Sequence, residues 1–532
     1  MAVRSCQSRH SPTPPACDVS VAPGASGAAE LPDLPIGRPA DLSLLGDAEL
    51  AAVAEADSRA TSIRTREVVL HTTRPGVEVQ VVQTKQGFPF GFPIDLRRFE
   101  NDDDLAFYER IMGDHFQVAV LENQAKWAKV EPEPGVRIYE YVDADVEWSE
   151  EQRFTVKGHT LLWGIVPPFS SSGVPTWLLE RFGAAPTDLT EAEQEEVRSA
   201  LRTHVIDMVT RYRGQIAIWD VTNETLQPVA QWFVQALGPE VVNDIFRWAH
   251  EADPDATLVF NEWIIEVFTG LFVTPTAAEV RDRVVELLDE GVPIHALGQQ
   301  AHFVPALVFA GLPGDLSART HIDDYLVALD TLAEAGLPIH ITETNFIAPE
   351  EPEMRAAQAE ALMRLWWGHP AVEQIVFWGP WNKVAGKDEF DVGIWDDERN
   401  LSRHGEAVLS LLNDRWRTDT DVVTDPHRKA TLRVTHGDYI AQWTHHGRTF
   451  HARFSVEPGE EAQHVVLFTP SKHRSTDRRN KRASGSPSAS KLLPPRRTDG
   501  VERPLARHAL QLMDAALTKL ISGADQDVPQ RT

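Results

Sequence analysis

Strand-like and helix-like segments alternate between residues 96 and 415, and this alternation limits the fold more than any other feature of the chain. Short apolar runs, typical of strands buried on both faces, are separated by stretches with helical periodicity such as residues 191–212 and 277–291. Polar and aromatic residues recur where the apolar runs end. A βα series with its chemistry at the carboxyl ends of the strands predicts an α/β fold, a (β/α)8 or TIM barrel. The strand-like segments are FQVAVLEN, FTVKGHTLLW, IAIWDVTNE, ATLVFNE, IHALGQQAHF, LPIHITETN and IVFWGPW.

Two of these segments end in a glutamate with polar neighbours. IAIWDVTNETL, residues 216–226, carries Glu224, and LPIHITETNF, residues 337–346, carries Glu343. They lie far apart in the chain, so only the fold brings them together. Two strand-end carboxyl groups that face one sugar bond are the basic equipment of a retaining glycosidase. The alternative is that each glutamate is a solvated charge at the end of a strand.

The sequence outside the barrel predicts an accessory module and disordered ends. Residues 66–83 alternate apolar and polar residues around an Arg-Pro-Gly turn, which predicts a β-hairpin. Residues 431–468 predict three or four antiparallel strands that complete a small β-sandwich with the hairpin. The helical spacing of Leu45, Leu50 and Val53 allows a short helix near the N-terminus. The predicted organisation is a disordered Ala/Pro/Ser-rich tail at 1–60, the hairpin of the module at 61–95, the catalytic barrel at 96–416, the C-terminal strands of the module at 417–470, and a basic, mostly disordered tail with a short amphipathic helix at 471–532.

The composition argues against several classes of function. A net charge of −28 argues against a nucleic-acid partner. The cysteines, Cys6 and Cys17, both lie in the N-terminal tail, which excludes an internal disulfide and a cysteine-based metal site in the folded part. The histidines lack the spacing of a metal-ligand set, so we expect no metal and no other cofactor. No apolar run approaches the roughly 20 residues of a membrane span, so we expect no membrane partner.

The first residues carry the only information on location. They lack the apolar core of a signal peptide, which predicts a cytoplasmic protein as the sequence is written and a secreted one if the true start lies elsewhere. We expect a monomer.

Six motifs lie at the predicted strand ends and occur in one order over about 300 residues. With them the chain resembles glycoside hydrolase family 10, the endo-1,4-β-xylanases. Its flanking β-rich segments resemble a subgroup in which small β-modules flank the barrel. The motifs are ENQAKW, GHTLLW, WDVTNE, QQAH, ITETN and FWGPW.

The resemblance implies retaining endo-hydrolysis of β-1,4-xylan or xylo-oligosaccharides by double displacement. It implies that Glu224 is the general acid/base and Glu343 the nucleophile, and that Asn223 binds the sugar 2-OH. Xylan or its oligosaccharides would be the partner. The remaining residues that the resemblance places around the sugar and the nucleophile are Glu122, Asn123, Lys126, His159, Trp163, Gln300, His302 and Trp378.

Two departures from the family pattern bear on the site. Gly164, Ile165 and Val166 follow Trp163, whereas family members usually carry His and Gln shortly after this tryptophan, which changes the expected floor of the site. Asn345 stands where an Asp usually partners the nearby histidine. We expect the amide to accept a hydrogen bond from His302, and the loss of one negative charge to lower the pKa of Glu343 relative to the usual arrangement.

Other interpretations remain open from sequence. The histidines and tryptophans of the set are alternatively core residues, and Lys126 is alternatively a surface lysine. The same chemistry also suits a retaining β-1,4-glucanase or aryl cellobiosidase. A non-catalytic sugar-binding protein on the same barrel is the alternative from another class.

Overall fold

The computed structural model describes residues 36–264, 275–303, 321–347, 349–385 and 392–467. The chain divides into two units: residues 1–166 with 171–469, and residues 167–170 with 470–532. All described helices and strands belong to the first unit. The first 35 residues of the predicted N-terminal tail and the whole predicted basic tail lie outside the described residues. Within the described ranges, no helix combines the length and apolar character needed to cross a bilayer.

Strands and helices alternate through most of the described chain. The strands are β1 (Thr65–Thr72), β2 (Glu78–Gln86), β3 (Phe90–Ile94), β4 (Val118–Leu121), β5 (Thr155–Trp163), β6 (Ile216–Asn223), β7 (Thr257–Glu262), β8 (Ala296–Gln299), β9 (His302–Phe303), β10 (Ile339–Phe346), β11 (Val372–Phe377), β12 (Asp419–Val423), β13 (Lys429–Thr435), β14 (Gly437–His445), β15 (Arg448–Val456) and β16 (Gln463–Leu467). The α-helices span Asp47–Ile63, Asp102–His115, Trp127–Val130, Glu140–Glu151, Thr176–Phe182, Glu191–Arg211, Trp232–Leu237, Val241–Ala252, Ala277–Asp289, Ile322–Ala333, Pro352–Gly368, Asn382–Ala385 and Arg403–Ser410.

Eight parallel strands close a barrel. They follow one another around the ring as β3, β4, β5, β6, β7, β8, β10 and β11, and β11 pairs with β3 to complete it. The short strand β9 extends the ring at its carboxyl end, where His302 lies opposite Asn345 of β10. The predicted (β/α)8 barrel is confirmed.

The barrel strands are buried because helices cover their outer faces. All eight residues of β10 are buried, including Glu343 and Asn345 near its carboxyl end. Capping boxes start two of the covering helices: Thr190 with Glu193, and Thr276 with Glu279. Polar side chains in such a strand need hydrogen-bond or ion-pair partners, which neighbouring barrel strands supply.

Most of the helix Asp47–Ile63 lies in residues 1–60, which the sequence predicts to be a disordered tail that allows a short helix. The helix is present, so the disorder prediction is wrong for residues 47–60. Its apolar face is buried, with Val53 and Ala56 in the same hydrophobic cluster as the barrel. A Cβ atom at Gly368 would lie only 2.1 Å from the Ala56 carbonyl oxygen. The backbones of this helix and of the helix Pro352–Gly368 are therefore in close contact. The alanines that made this stretch resemble low-complexity sequence are the small residues that close helix packing requires.

The accessory strands form two sheets, ordered β13-β1-β16 and β12-β2-β14-β15. The predicted hairpin is wrong, because β1 and β2 lie in different sheets and do not pair. The turn between them instead bonds to the turn between β12 and β13, with Gly76 N–H donating to the Thr424 carbonyl. Val68 of β1 and Val81 of β2 belong to one hydrophobic cluster separate from the barrel core. The two sheets therefore share one apolar core, as the two layers of a small β-sandwich do.

One boundary and the direction of one strand also differ from the prediction. The first barrel strand, β3, ends at Ile94, before the predicted start of the barrel at residue 96. The segment 431–468 holds four strands, β13 to β16, within the predicted three or four, but β16 runs parallel to β1 instead of antiparallel. Alternating sequence predicts strands but does not state which strand each one joins.

Candidate active site

The barrel brings all eleven residues singled out from the sequence to the carboxyl ends of its strands. They come from six parts of the ring and reach one another through direct contacts or electrostatic interactions. The positions are Glu122, Asn123 and Lys126 after β4, His159 and Trp163 in β5, Asn223 at the end of β6, Glu224 directly after it, Gln300 after β8, His302 in β9, Glu343 in β10 and Trp378 after β11.

Glu343 lies among one amide and two imidazole rings. Its Oε1 accepts a hydrogen bond from Asn261 Nδ2 at 2.9 Å, and its Oε2 lies 3.3 Å from His302 Nε2. His159 Nδ1 is 3.9 Å from Oε1. Burial alone would raise the pKa of this carboxyl group, but His159, His302 and Asn261 outweigh it and lower the pKa to about 2. Glu343 is therefore held as a carboxylate, the state of a nucleophile.

Glu224 has neutral donors instead. Trp163 Nε1 donates to its Oε2 at 2.8 Å, and Gln300 Nε2 donates to its Oε1 at 3.1 Å. Burial raises the pKa of Glu224, and the charge of Glu343 acts in the same direction, against the two hydrogen bonds. This carboxyl group is therefore suited to hold a proton at a pH where Glu343 has lost its own.

The backbone of Glu224 is held in an unusual conformation. Its φ angle is +57°, the left-handed region that side chains other than glycine rarely adopt. The Glu224 N–H donates to the Asn261 carbonyl at 3.0 Å, and the Gln227 N–H donates back to the Glu224 carbonyl at 3.0 Å. The turn thus bends the chain sharply where the strand ends. Strain of this kind persists where the surrounding structure enforces it, and such sites are often functional.

A bridge of amide groups joins the two carboxyl groups. Gln300 Nε2 donates both to Glu224 and, at 3.2 Å, to Asn223 Oδ1. Asn261 Nδ2 donates both to Asn223 Oδ1, at 2.8 Å, and to Glu343. Asn223 Oδ1 accepts both bonds at the centre of the bridge, so within the described residues the Asn223 Nδ2 group keeps no partner and is available to a sugar hydroxyl. We define this set of Gln300, Asn223 and Asn261 as the amide bridge.

Three polar residues after β4 lie beside the carboxyl groups. Lys126 Nζ donates to Asn123 Oδ1 at 3.0 Å and lies 4.7 Å from the centre of the Trp163 ring. Burial lowers the pKa of Lys126, while Glu122, Glu343 and Glu224 act in the opposite direction. Glu122 pairs with Arg98 at 2.5 Å. These residues form a polar wall that is rich in donors and acceptors for hydroxyl groups.

His159 is supported from behind by a buried ion pair. Its Nδ1 lies 3.0 Å from Asp220 Oδ2, and Asp220 Oδ1 lies 2.8 Å from the Nζ of Lys157, which is fully buried. The Trp378 ring meets the His159 ring edge-on at 5.3 Å. The carboxylate and the indole ring together fix the orientation of the imidazole.

The structure adds two residues that sequence reasoning did not single out, Asn261 and Glu262. Both end β7 and are fully buried. The sequence holds a signal for them, because an Asn-Glu pair stands at the end of β7 and another, Asn223-Glu224, at the end of β6 and directly after it. Only the fold shows that Asn261 and Glu262 support Asn223 and Glu224.

Both departures from the family pattern have a visible cause or consequence. A Cβ atom at Gly164 would lie 2.2 Å from the Ala230 carbonyl oxygen, so the chain after Glu224 packs where a larger side chain would stand. Asn345 Nδ2 lies 3.1 Å from His302 Nδ1. The amide therefore donates to the ring, whereas we expect from the sequence that it accepts from His302. With Nδ1 as acceptor, the His302 Nε2–H can donate to Glu343.

Comparisons with known proteins agree with this geometry. Endo-1,4-beta-xylanase 1 of Arabidopsis thaliana is 26% identical over 399 residues, which cover 74% of this chain but 38% of that protein. Endo-1,4-beta-xylanase B of Thermotoga neapolitana is 27% identical over 64% of this chain and 93% of its own length. The crystal structure of xylanase 10B from Thermotoga petrophila in complex with xylobiose is 26% identical, with a TM-score of 0.50, over 62% of this chain and 94% of that one. Residues 79–399 match the family described as Glycosyl hydrolase family 10, and the chain belongs to this family.

Proposed function

We propose that the chain is a retaining endo-1,4-β-xylanase that needs only its two glutamates and their hydrogen-bond partners. The observation that carries the proposal is the amide bridge between two carboxyl groups whose pKa values are shifted in opposite directions. Family membership over residues 79–399 supports the same reaction. The chain spans 38% and 33% of the lengths of two Arabidopsis relatives, so the activity of a longer protein enters only as part of this proposal.

The reaction proceeds in two displacements. In the first, the Glu343 carboxylate attacks the anomeric carbon while Glu224 transfers its proton to the glycosidic oxygen, so the carbon–oxygen bond breaks and a glycosyl ester forms. In the second, Glu224, now a carboxylate, takes a proton from water as that water attacks the same carbon. The ester bond breaks, and both residues return to their first state.

The amide bridge has a role in both steps. It supplies neutral donors to both carboxyl groups without adding a charge that would favour one protonation state of Glu224. Its free Asn223 Nδ2 group is suited to the sugar 2-OH, whose hydrogen bonds strengthen in the transition state. Glu122, Asn123, Lys126 and His159 are suited to the hydroxyls of the sugar next to the cleaved bond.

The substrate class comes from the relatives. The proteins compared above are named xylanases, and one of them is described with xylobiose bound. We extend this to the present chain and propose xylan and xylo-oligosaccharides as its substrates.

Product analysis on purified β-1,4-xylan and xylohexaose tests the proposal, with Glu343→Ala and Glu224→Ala beside the wild type. Short xylo-oligosaccharides from the wild type only are the expected result. Intact xylan with cleavage of a β-1,4-glucan would overturn the substrate but keep the mechanism. Sugar binding without cleavage of any substrate would make the chain a sugar-binding protein on the same barrel.

A further inference from the structure

A buried carboxyl group lies under the turn that carries Glu224. Glu262 ends β7 and is 1% exposed. It does not belong to the amide bridge, and among the described residues it makes no hydrogen bond to Glu343 or to the polar wall. The reaction as derived above does not use it, and burying a carboxyl group is costly unless its oxygens are well bonded.

Among the described residues, the side-chain hydrogen bonds of Glu262 go to the three residues that follow Glu224. The Leu226 N–H donates to its Oε1 at 2.8 Å, and the Thr225 hydroxyl lies 3.3 Å from the same oxygen. Gln227 Nε2 donates to Oε2 at 3.2 Å and to the Trp263 carbonyl at 3.2 Å. The Glu262 side chain thus binds three consecutive residues of the turn.

The chain that follows this turn is held by backbone contacts. The Trp232 N–H donates to the Gly164 carbonyl at 3.2 Å, and Gly164 has no side chain to keep Ala230 away. Glu262 therefore holds the turn that begins at Glu224, where the φ angle is positive, and Gly164 contacts the chain beyond it. The Glu262 contact acts through a side chain that a substitution can change.

We infer that Glu262 is a positioning residue for the general acid/base: its bonds to residues 225–227 hold Glu224 where its proton reaches the glycosidic oxygen. The inference rests on the proposed function and adds a residue to it. Burial raises the pKa of Glu262 to about 8, against the hydrogen bonds from Leu226, Gln227 and Thr225 and with the charge of Glu224.

Acid catalysis has a signature that loss of structure lacks. A glycoside with a poor leaving group needs the proton of Glu224, whereas a 2,4-dinitrophenyl glycoside leaves without it. A misplaced Glu224 therefore lowers kcat/KM for xylotetraose much more than for 2,4-dinitrophenyl β-xylobioside. General damage to the site lowers both.

The experiment compares the full-length wild type with Glu262→Gln and Glu262→Asp on these two substrates. We expect kcat/KM for xylotetraose to fall by about 10- to 100-fold in Glu262→Gln, with a change of about 3-fold or less for the dinitrophenyl substrate. The carboxyl group of Glu262→Asp is one carbon short of the turn, so we expect a smaller loss of the same kind. Equal losses on both substrates, or no loss, would overturn the inference.

Two further variants complete the test. Glu360→Gln is the matched control, since Glu360 is a buried glutamate that accepts the Ala40 N–H at 2.6 Å in another part of the fold. It should leave the ratio of the two kcat/KM values unchanged. Gln227→Leu removes the hydrogen bond between Gln227 and Glu262 while leaving Glu262 in place. If the Glu262 variants fail to fold, the ratio of the two kcat/KM values in Gln227→Leu tests the inference. A wild type inactive on both substrates would overturn the proposed function as well, a result distinct from the loss of the ratio effect alone.

Discussion

Glu224 and Glu343 end two strands of one barrel and belong to the same network, yet their surroundings favour opposite states. Glu224 receives hydrogen bonds from an indole and a primary amide, both neutral, and its pKa is raised by burial. Glu343 receives one amide and faces two imidazole rings, and its pKa is lowered to about 2 although burial opposes this. The amide donors are nearly matched on the two sides, so the histidines account for most of the difference.

This difference shows how one network divides two roles between identical side chains. Neutral donors stabilise a carboxyl group without fixing its charge, whereas a group that can be cationic favours the carboxylate. A glycosidase needs one carboxyl group in each state at the same pH. Each prediction below removes or reverses one element of the contrast.

The largest effect should follow from Glu343→Ala. Removal of the attacking group leaves no covalent route, so we expect kcat to fall by about 10⁴-fold or more on every substrate. Initial rates on xylotetraose and on 2,4-dinitrophenyl β-xylobioside measure this. A variant that keeps a tenth of the wild-type rate on either substrate would show that Glu343 is not the nucleophile.

Glu224→Gln should lower activity less than Glu343→Ala does, and to different extents on the two substrates. We expect about 10²- to 10⁴-fold loss in kcat/KM on xylotetraose, because the leaving oxygen receives no proton. The dinitrophenyl substrate should lose little kcat/KM, since its leaving group needs none. Equal losses on the two substrates would contradict the assignment of Glu224 as the acid.

Asn261→Asp replaces the amide shared by Glu343 and Asn223 with a second carboxyl group. Loss of one donor should lower kcat/KM by about 10- to 100-fold. The new charge should also raise the pKa of Glu343, because like charges oppose ionisation. Activity requires Glu343 ionised, so the acid limb of the pH–rate profile should move to higher pH.

Asn243→Asp is the control, since Asn243 is a buried asparagine on the helix Val241–Ala252. Its acid limb should coincide with that of the wild type. If the acid limb of Asn261→Asp does not move, the expected rise in the pKa of Glu343 is contradicted.

Asn345→Asp should give the smallest effect. An aspartate would accept from His302 Nδ1 where the amide now donates, and it adds a negative charge near Glu343. The pKa of Glu343 should rise, because a nearby negative charge opposes its ionisation. The acid limb should move upward accordingly, and an unmoved limb would contradict our expectation that Asn345 lowers this pKa.

The sequence predicted the barrel and the position of its chemistry because both depend on local pattern. A buried strand shows as an apolar run, and an Asn or Glu at its end stands out, as Asn223 and Glu224 do. The roles of the site residues remain proposals. Asn261 and Glu262 were missed because their partners come from other strands, and no local pattern states which strand end supports which.

The errors outside the barrel have a related cause. Alternation in β1 and β2 predicts two strands but is the same for a hairpin and for a sandwich, so pairing is decided by contacts with β12 to β16. Most of the helix Asp47–Ile63 falls in the predicted disordered tail because alanine and serine suggest low complexity, although the spacing of Leu50 and Val53 allows a short helix. Its order comes from packing on the helix that ends at Gly368, a partner more than 300 residues away.

The most direct test of the central claim is to trap the glycosyl-enzyme intermediate and locate it by mass spectrometry. Fluorine at carbon 2 destabilises a transition state of oxocarbenium character, so 2,4-dinitrophenyl 2-deoxy-2-fluoro-β-xylobioside should form the ester and release it slowly. We predict one 2-deoxy-2-fluoroxylobiosyl group per chain, on the peptide that contains Glu343, and no label in Glu343→Gln. A label on Glu224, or release of dinitrophenol without any label, would contradict the assignment of the two roles.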